Sequence, residues 1–201
     1  MFTIFINLYA RAKWGVFGNK NVNKALLENC NINRFDIHYY GKDISFDHCD
    51  FVDLYTSYSF VYGLLSYINC TFTNCRPILM CGSSNSGVGY DAYFKTCIFN
   101  FDKKNCSIID FNDFSIDKNL RPELKEECLP NVTMIDCQVN LPNGKNEWYI
   151  YNTAKTKGYK GYFNYISKVV IHNLSTNDKN AKMNIFSKEI KLKNKININI
   201  K

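Results

Sequence analysis

The sequence has few of the residues that common metal and nucleotide sites require. Its three histidines, His38, His48 and His172, are scattered, and its nine cysteines include no C-x-x-C pair, so the spacing argues against the usual zinc sites. No Walker loop, nucleophile elbow, zincin helix or dinucleotide-binding glycine pattern is present. We therefore predict no cofactor and no metal.

Arginine is also scarce, with four residues in a chain of 201, while lysine is abundant at one end. Residues 145–201 carry twelve lysines against three acidic residues. A basic segment suits nucleic acid or an anionic surface. Arginine, however, supplies the bidentate contacts to phosphates and bases, and its shortage argues against a nucleic-acid partner.

Long apolar runs are absent, which argues against a membrane span. The N-terminal "MFTIFINLYARA" resembles a signal peptide in its short apolar run and its A-x-A ending. It lacks a basic beginning, and Asn7 and Tyr9 interrupt the run. We favour a first strand or cap over residues 1–19.

What the sequence does contain is a repeat centred on cysteine. The shared pattern is an apolar residue, two further residues, Cys, any residue, and a second apolar residue. Its copies are "ALLENCNI", "ISFDHCDF", "LSYINCTF", "AYFKTCIF" and "VTMIDCQV", with "NYISKVVI" as a sixth in which Val169 takes the cysteine position. The cysteines are Cys30, Cys49, Cys70, Cys97 and Cys137. Repeats with a period near twenty residues indicate a solenoid.

Each copy is typical of two short strands joined by a tight corner. Alternate strand residues, such as Ile44 and Phe46, point inward before the corner, and Cys49 and Phe51 point inward after it. The residue before each repeat cysteine, or before Val169 in the sixth copy, is predicted to turn the chain in the left-handed conformation, which Asn, Asp and His tolerate best. These corner residues are Asn29, His48, Asn69, Thr96, Asp136 and Lys168. A second set of turn formers ends each second strand: Asn33, Asp53, Asn74, Asn100, Asn140 and Asn173.

Strand, corner, strand and looser turn in this order resemble the right-handed parallel β-helix proteins of the pectate-lyase-like kind, which include phage tailspikes. The resemblance lies in the repeat over residues 20–175 and includes no catalytic motif. It implies an all-β, single-stranded parallel β-helix of about six to seven coils. A pentapeptide-repeat solenoid is the alternative, but its strict five-residue spacing is not maintained here. Third-sheet strands are predicted at 35–41, 58–65, 77–82, 107–114 and 147–152.

The segments outside the repeat have distinct patterns. Residues 115–131 are charged and are predicted to form a loop with a short helix, while residues 142–162 form a basic and aromatic loop. In the C-terminal segment, 176–201, apolar residues alternate with polar ones from Ile190 onward, which is typical of an amphipathic strand. Such a strand either caps the solenoid or pairs with another chain.

The five repeat cysteines are predicted to form one column of small buried thiols, since stacked coils lie about 4.8 Å apart. Neighbouring thiols could in principle form a disulfide, but an interior column offers poor geometry for one. We therefore favour free thiols, which are typical of folding in a reducing cytoplasm.

Catalytic candidates are weak. Asp110 and Asp113, Asp47 and Asp50, and Asp91 supply carboxylates of the kind used on glycosidic bonds. Residues three apart on a strand face opposite ways, and no Lys or Arg is predicted in phase with these carboxylates as a base. Aromatic residues suit a glycan or protein contact better. The binding candidates are Trp148, Tyr149, Tyr151, Tyr159 and Tyr162.

Two function classes follow from these patterns. The first is a non-enzymatic structural or recognition protein. For it, the resemblance to β-helix tailspikes implies a virion setting, as a phage tail-associated component that folds in the host cytoplasm. Its partners would be a host glycan, other virion proteins or itself, as in a homotrimer. The second is a polysaccharide lyase or glycoside hydrolase of the β-helix type. A secreted or cell-surface location is the alternative to the virion.

Overall fold

The computed structural model describes residues 2–6, 9–10, 14–17, 24–33, 36–53, 56–75, 79–81, 91–111, 127–128, 131–152, 163–164, 168–187 and 197–201. These residues form twenty-two β-strands and no helix. The strands are β1 (Phe2–Ile6), β2 (Tyr9–Ala10), β3 (Trp14–Phe17), β4 (Lys24–Glu28), β5 (Asn31–Asn33), β6 (Asp36–Asp47), β7 (Asp50–Val52), β8 (Thr56–Ile68), β9 (Thr71–Thr73), β10 (Leu79–Cys81), β11 (Asp91–Lys95), β12 (Ile98–Asn100), β13 (Ser107–Phe111), β14 (Glu127–Cys128), β15 (Asn131–Ile135), β16 (Gln138–Asn140), β17 (Glu147–Asn152), β18 (Phe163–Asn164), β19 (Lys168–His172), β20 (Ser175–Thr176), β21 (Lys182–Phe186) and β22 (Asn197–Ile200).

The strands form a thirteen-stranded sheet, a seven-stranded sheet and a pair, β14 with β18. The large sheet has two arms that meet in the long strands β6 and β8. The first halves of these strands belong to the arm that continues through β10, β13, β17 and β21, and the second halves to the arm that continues through β11, β15, β19 and β22. The register shifts between Gly41 and Asp43, where β6 passes from one arm to the other.

The chain enters these sheets in a fixed order. It passes through the second arm, the seven-stranded sheet and the first arm, as in β11, β12 and β13, and then repeats the order with β15, β16 and β17. All pairings between these strands are parallel. The all-β architecture with parallel sheets is compatible with a parallel β-helix. The N-terminal strands β1, β2 and β3 pair with β4, β5 and β6 in the same way.

Left-handed corners separate the second arm from the seven-stranded sheet. Asn29, His48, Asn69, Thr96 and Asp136 have φ between 51° and 53°, as the repeat predicted. Each backbone N–H donates to a carbonyl one strand further along, such as Asn69 N to Lys95 O at 2.9 Å. Asp53 and Asn74 repeat the conformation, with φ of 52° and 54°, just after β7 and β9.

The sixth copy of the repeat lies later in the chain than the apolar spacing predicts. Lys168 begins β19, and Val169 pairs with Val132 rather than following a corner. The corner residue is Asn173, with φ of 54°, which was predicted to end a strand instead. Leu174 therefore takes the cysteine position. The bond from Ser175 N to Cys137 O repeats the one from Gln138 N to Cys97 O, one strand earlier.

The interior is built from two columns of aromatic rings. In the second arm, Phe46, Tyr67 and Phe94 stack with centroids 5.1 and 5.2 Å apart and nearly parallel planes. In the seven-stranded sheet, Phe51, Phe72 and Phe99 stack in the same manner at 4.8 and 5.2 Å. The columns meet edge to face, as between Tyr67 and Phe72 at 5.1 Å. Both arrangements are favourable for aromatic rings.

The five repeat cysteines are all buried and carry no disulfide. The thiols of Cys49, Cys70, Cys97 and Cys137 each donate to a backbone carbonyl of the neighbouring strand one repeat earlier, as Cys97 Sγ does to Tyr67 O at 3.3 Å. Cys30 Sγ donates to Glu28 O at 3.3 Å. Hydrogen bonds to neighbouring thiols, together with burial, raise the pKa of Cys70 and of Cys137. These two thiols are therefore held in their neutral form.

The remaining strand predictions differ mainly in length. The strand expected at 147–152 is β17, whereas those expected at 35–41 and 58–65 continue through the junction of the two arms as β6 and β8. The strands expected at 77–82 and 107–114 correspond to β10 and β13. Most of the charged segment 115–131 lies outside the described residues. At the C-terminus, β22 pairs with β19, and Ile198 and Ile200 remain 49% and 57% exposed.

Candidate functional site

Of the turns that join the seven-stranded sheet to the first arm, the structure describes three in full, at residues 101–106, 141–146 and 177–181. In the first and third turns, an aspartate side chain accepts a backbone N–H two residues on: Lys104 N to Asp102 Oδ1 at 2.6 Å, and Asn180 N to Asp178 Oδ1 at 2.8 Å. In the second turn, Gly144 has φ of 82°, a conformation that favours glycine. Asp102, Gly144 and Asp178 therefore stabilise the backbone conformations of the three turns.

The three turns lie in register along one edge of the molecule. Tyr149 N donates to Cys106 O at 2.9 Å, and Lys182 N donates to Asn146 O at 2.7 Å, so consecutive turns lie about one strand spacing apart. Five exposed lysines share this edge: Lys103, Lys104, Lys145, Lys179 and Lys182.

A cavity of about 480 Å³ begins between the first two turns and extends along the first arm to Asn152 and Ser187. We call it the lysine cavity, and its walls include Lys103, Lys104, Asn105, Lys145, Glu147 and Tyr149. Its size falls within the range of small-molecule sites.

The lysine cavity is electropositive, since three lysines face one glutamate. Glu147 Oε2 accepts a hydrogen bond from the Tyr149 hydroxyl at 3.1 Å. Glu147 Oε1 lies 3.8 Å from Lys182 Nζ, a solvent-exposed ion pair of little energetic weight. Burial, with a further contribution from Glu147, raises the pKa of Tyr149. The tyrosine is therefore a neutral hydroxyl at physiological pH.

Asn105 adds a polar group at the wall of the cavity. The Ser107 hydroxyl donates to Asn105 Oδ1. The buried Nδ2 of Asn105 has no hydrogen-bond partner among the described residues. A buried donor without an acceptor costs free energy, which makes this amide the least satisfied polar group described at the site.

The aromatic binding candidates are only partly suited to that role. Trp148 and Tyr151 are fully buried, where Trp148 packs on Phe101 at 6.2 Å and Tyr151 packs on Phe186 at 5.6 Å. Both rings belong to the core, so the prediction that they contact a ligand is wrong. Tyr149, which follows Trp148 directly in β17, is half-buried and lines the lysine cavity. Tyr159 and Tyr162 lie outside the described residues.

Lys103, Lys104 and Lys145 were not among the residues singled out from the sequence. The available signal was their position, because the segments "FDKKNC" and "LPNGKNE" each begin four residues after a repeat cysteine. Residues that lie at the same distance along the chain from Cys97 and from Cys137 are expected at the same edge of successive repeats.

A second cavity, of about 270 Å³, lies on the outer face of the second arm. We call it the Asp91 groove, and its walls include Asp91, Tyr93, Asn131, Thr133 and Lys168. Asn131 joins its neighbours, since its Nδ2 donates to Asp91 Oδ1 at 2.6 Å and its Oδ1 accepts from Lys168 N at 2.7 Å. The pairing of the strands thus brings a lysine into phase with Asp91, contrary to the sequence-based expectation.

The other carboxylate candidates do not form a pair in the described residues. Asp47 Oδ1 lies 2.8 Å from His48 Nδ1 and accepts from Asn69 Nδ2 at 3.3 Å, which is a corner-stabilising arrangement. Asp50 begins β7 and is exposed. The backbone of Asp110 pairs with those of Met80 and Asn152 in the first arm. Asp113 lies outside the described residues.

Within the described part of the chain, no three His, Cys, Asp or Glu side chains lie close enough to hold a metal ion. The same part contains no helix that is long and apolar enough to cross a membrane. Comparisons with protein-family models, curated proteins and solved structures find no match to this chain.

Proposed function

We propose that the chain is a right-handed parallel β-helix of about six to seven coils that serves as a non-enzymatic structural or recognition protein. The repeated order of second arm, seven-stranded sheet and first arm supports this proposal, as do the parallel pairings. Each coil rests on the next through backbone hydrogen bonds and stacked rings. Such a framework holds surface groups at fixed spacing.

The observation that carries the recognition role is the lysine cavity. It is formed by turns, which are the usual location of binding residues on a rigid scaffold. Their backbones are fixed by the contacts between Tyr149 and Cys106 and between Lys182 and Asn146. A ligand therefore meets groups that are already ordered, which reduces the entropy cost of binding.

We place this protein in a virion, as a phage tail-associated component that contacts a host glycan or neighbouring subunits. The placement rests on analogy with β-helix tailspikes. The absence of disulfides among the described buried cysteines is in keeping with folding in a reducing cytoplasm. The exposed strand β22 would pair with another chain, either in a homotrimer or in an assembly with other virion proteins.

The alternative function is a polysaccharide lyase or glycoside hydrolase that works in the Asp91 groove. Its specific support is the presence of a carboxylate, a lysine and Tyr93 on one surface. Asp91 has no partner carboxylate in the groove, however, and the Asn131 amide already engages one of its oxygens. Two-carboxylate hydrolysis is therefore disfavoured.

One experiment separates the two functions. The full chain is incubated with a panel of neutral and acidic polysaccharides, and both retention on immobilised glycan and release of reducing or unsaturated ends are measured. We expect retention without products. Products that disappear in Asp91→Asn but persist in the matched variant Asp50→Asn would establish the enzymatic alternative. The absence of both retention and products would reject glycan recognition.

A further inference from the structure

We infer that the lysine cavity binds the carboxylate of an acidic sugar, such as a uronic or sialic acid residue of an anionic glycan. This inference rests on the proposed recognition function and specifies its ligand. It is carried by the charge of the cavity, its polar wall and its volume.

The charge favours an anion over a neutral sugar. Lys103 and Lys104 come from the first turn and Lys145 from the second, so the positive charges approach the cavity from two sides. Glu147 is the one carboxylate of the cavity wall; it accepts a hydrogen bond from the Tyr149 hydroxyl and faces Lys182. Asp102, in the first turn but outside the wall, accepts the Lys104 backbone N–H. The lysines of the wall outnumber its one carboxylate three to one, which favours an anionic ligand.

The polar groups favour a sugar over a bare inorganic anion. Tyr149 contributes a neutral, half-buried ring, a surface on which the apolar face of a sugar can pack. Asn105 also lines the cavity, and the Ser107 hydroxyl, which donates to Asn105 Oδ1, holds its amide in place. Lysine ammonium groups act as point charges, so they suit a carboxylate without demanding the bidentate geometry that arginine imposes.

The volume is also appropriate. A cavity of about 480 Å³ is far larger than a phosphate or sulfate ion needs, and it falls in the range that accommodates small organic ligands. An isolated ion would contact one wall of this cavity and leave the other to water. A sugar ring that carries a carboxylate can reach the lysines and Tyr149 together.

The test uses the full chain and isothermal titration calorimetry with galacturonate, N-acetylneuraminate, galactose and inorganic phosphate. The cavity variant is Lys103→Gln combined with Lys145→Gln. The matched control is Lys179→Gln, which removes an exposed lysine from the neighbouring turn without altering the described cavity wall. Circular dichroism establishes that each variant retains its β-sheet signal.

We expect at least one acidic sugar to bind about tenfold more tightly than galactose. The cavity variant should weaken that binding about tenfold, and Lys179→Gln should change it less than about twofold. Affinity should also fall as NaCl rises, because the contact is between charges. If the cavity variant fails to fold, the salt dependence of acidic-sugar binding to the unaltered chain is the test. An affinity that does not fall as NaCl rises would overturn the inference.

Three other results would overturn the inference, and they differ in their meaning for the proposed function. Equal binding of galactose and galacturonate would leave glycan recognition intact and remove the acidic ligand. Phosphate that binds as tightly as the acidic sugars would indicate a simple anion site. Failure of all four ligands to bind the chain, together with failure of the polysaccharide panel to be retained, would reject both proposals.

Discussion

The aromatic columns predict that Phe72 is one of the positions most sensitive to loss of an aromatic ring. Its ring stacks on Phe51 at 4.8 Å and on Phe99 at 5.2 Å, and it meets Tyr67 and Phe94 edge to face at 5.1 and 6.1 Å. Replacement by leucine keeps an apolar side chain of similar size but removes all four ring contacts. Phe72→Leu therefore tests the columns rather than hydrophobic burial in general.

The magnitude follows from these contacts. At the low end of about 0.5 kcal/mol for each aromatic pair, four contacts contribute about 2 kcal/mol beyond the burial of area. Imperfect filling of the space by leucine adds about 1 kcal/mol. We expect Phe72→Leu to lower the free energy of unfolding by about 3 kcal/mol. Phe186→Leu is the matched control, since Phe186 is half-buried and stacks on Tyr151 at 5.6 Å, and about 1 kcal/mol is expected there.

Urea denaturation followed by circular dichroism measures both variants. The slope of the free energy against urea should be the same for both, so that a shift in midpoint reports stability. If Phe72→Leu destabilised the protein no more than Phe186→Leu does, the stacked columns would contribute nothing beyond ordinary burial, and the reasoning would be refuted.

Two further predictions concern the corners and the thiols. At Asn69, where φ is 52°, alanine should be about 1 kcal/mol less stable than glycine in urea denaturation, because glycine adopts this conformation freely; equal stabilities would contradict a left-handed corner. A thiol reagent added to the native protein should leave Cys30, Cys49, Cys70, Cys97 and Cys137 unmodified until denaturant is added, as mapped by mass spectrometry of peptides; rapid labelling of the folded chain would contradict their burial.

The corners could be predicted from the sequence because they depend on local chemistry. Asn29, His48 and Asn69 tolerate a positive φ better than most residues, and each precedes a cysteine at a fixed distance. Two independent patterns therefore pointed to the same position. The alternation of buried residues in β11 and β15 follows in the same way from strand geometry.

For the sixth repeat, the apolar spacing and the corner chemistry indicate different positions, and the corner chemistry is the one that the structure follows. The segment "NYISKVVI" fits the apolar spacing but puts Lys168 at the corner, whereas "IHNLST" puts Asn173 there and an apolar residue after it. Leucine replaces cysteine in this copy, and an interior position accepts either small thiol or larger aliphatic groups according to the neighbouring volume.

The site could be predicted least well, because it depends on which side of a strand each residue faces and on which turns lie side by side. The segment "EWYIYN" suggests an aromatic cluster, but Trp148, Ile150 and Tyr151 are buried while Tyr149 is half-buried. The lysines of the cavity are separated by about forty residues in the chain. Their proximity arises from the pairing of β13 with β17.

The junction of the two arms has an evolutionary consequence. In β6 and β8 the chain crosses this junction without leaving the strand, whereas residues 82–90, 112–130 and 153–167 intervene at the corresponding passage from the first arm to the second. The passage from the second arm to the seven-stranded sheet and the passage from that sheet to the first arm both stay short throughout the described repeats. Insertions and deletions at this junction therefore leave both columns of rings in register. We expect related chains to differ in length at this edge. A foreign epitope inserted here would leave the two columns unchanged.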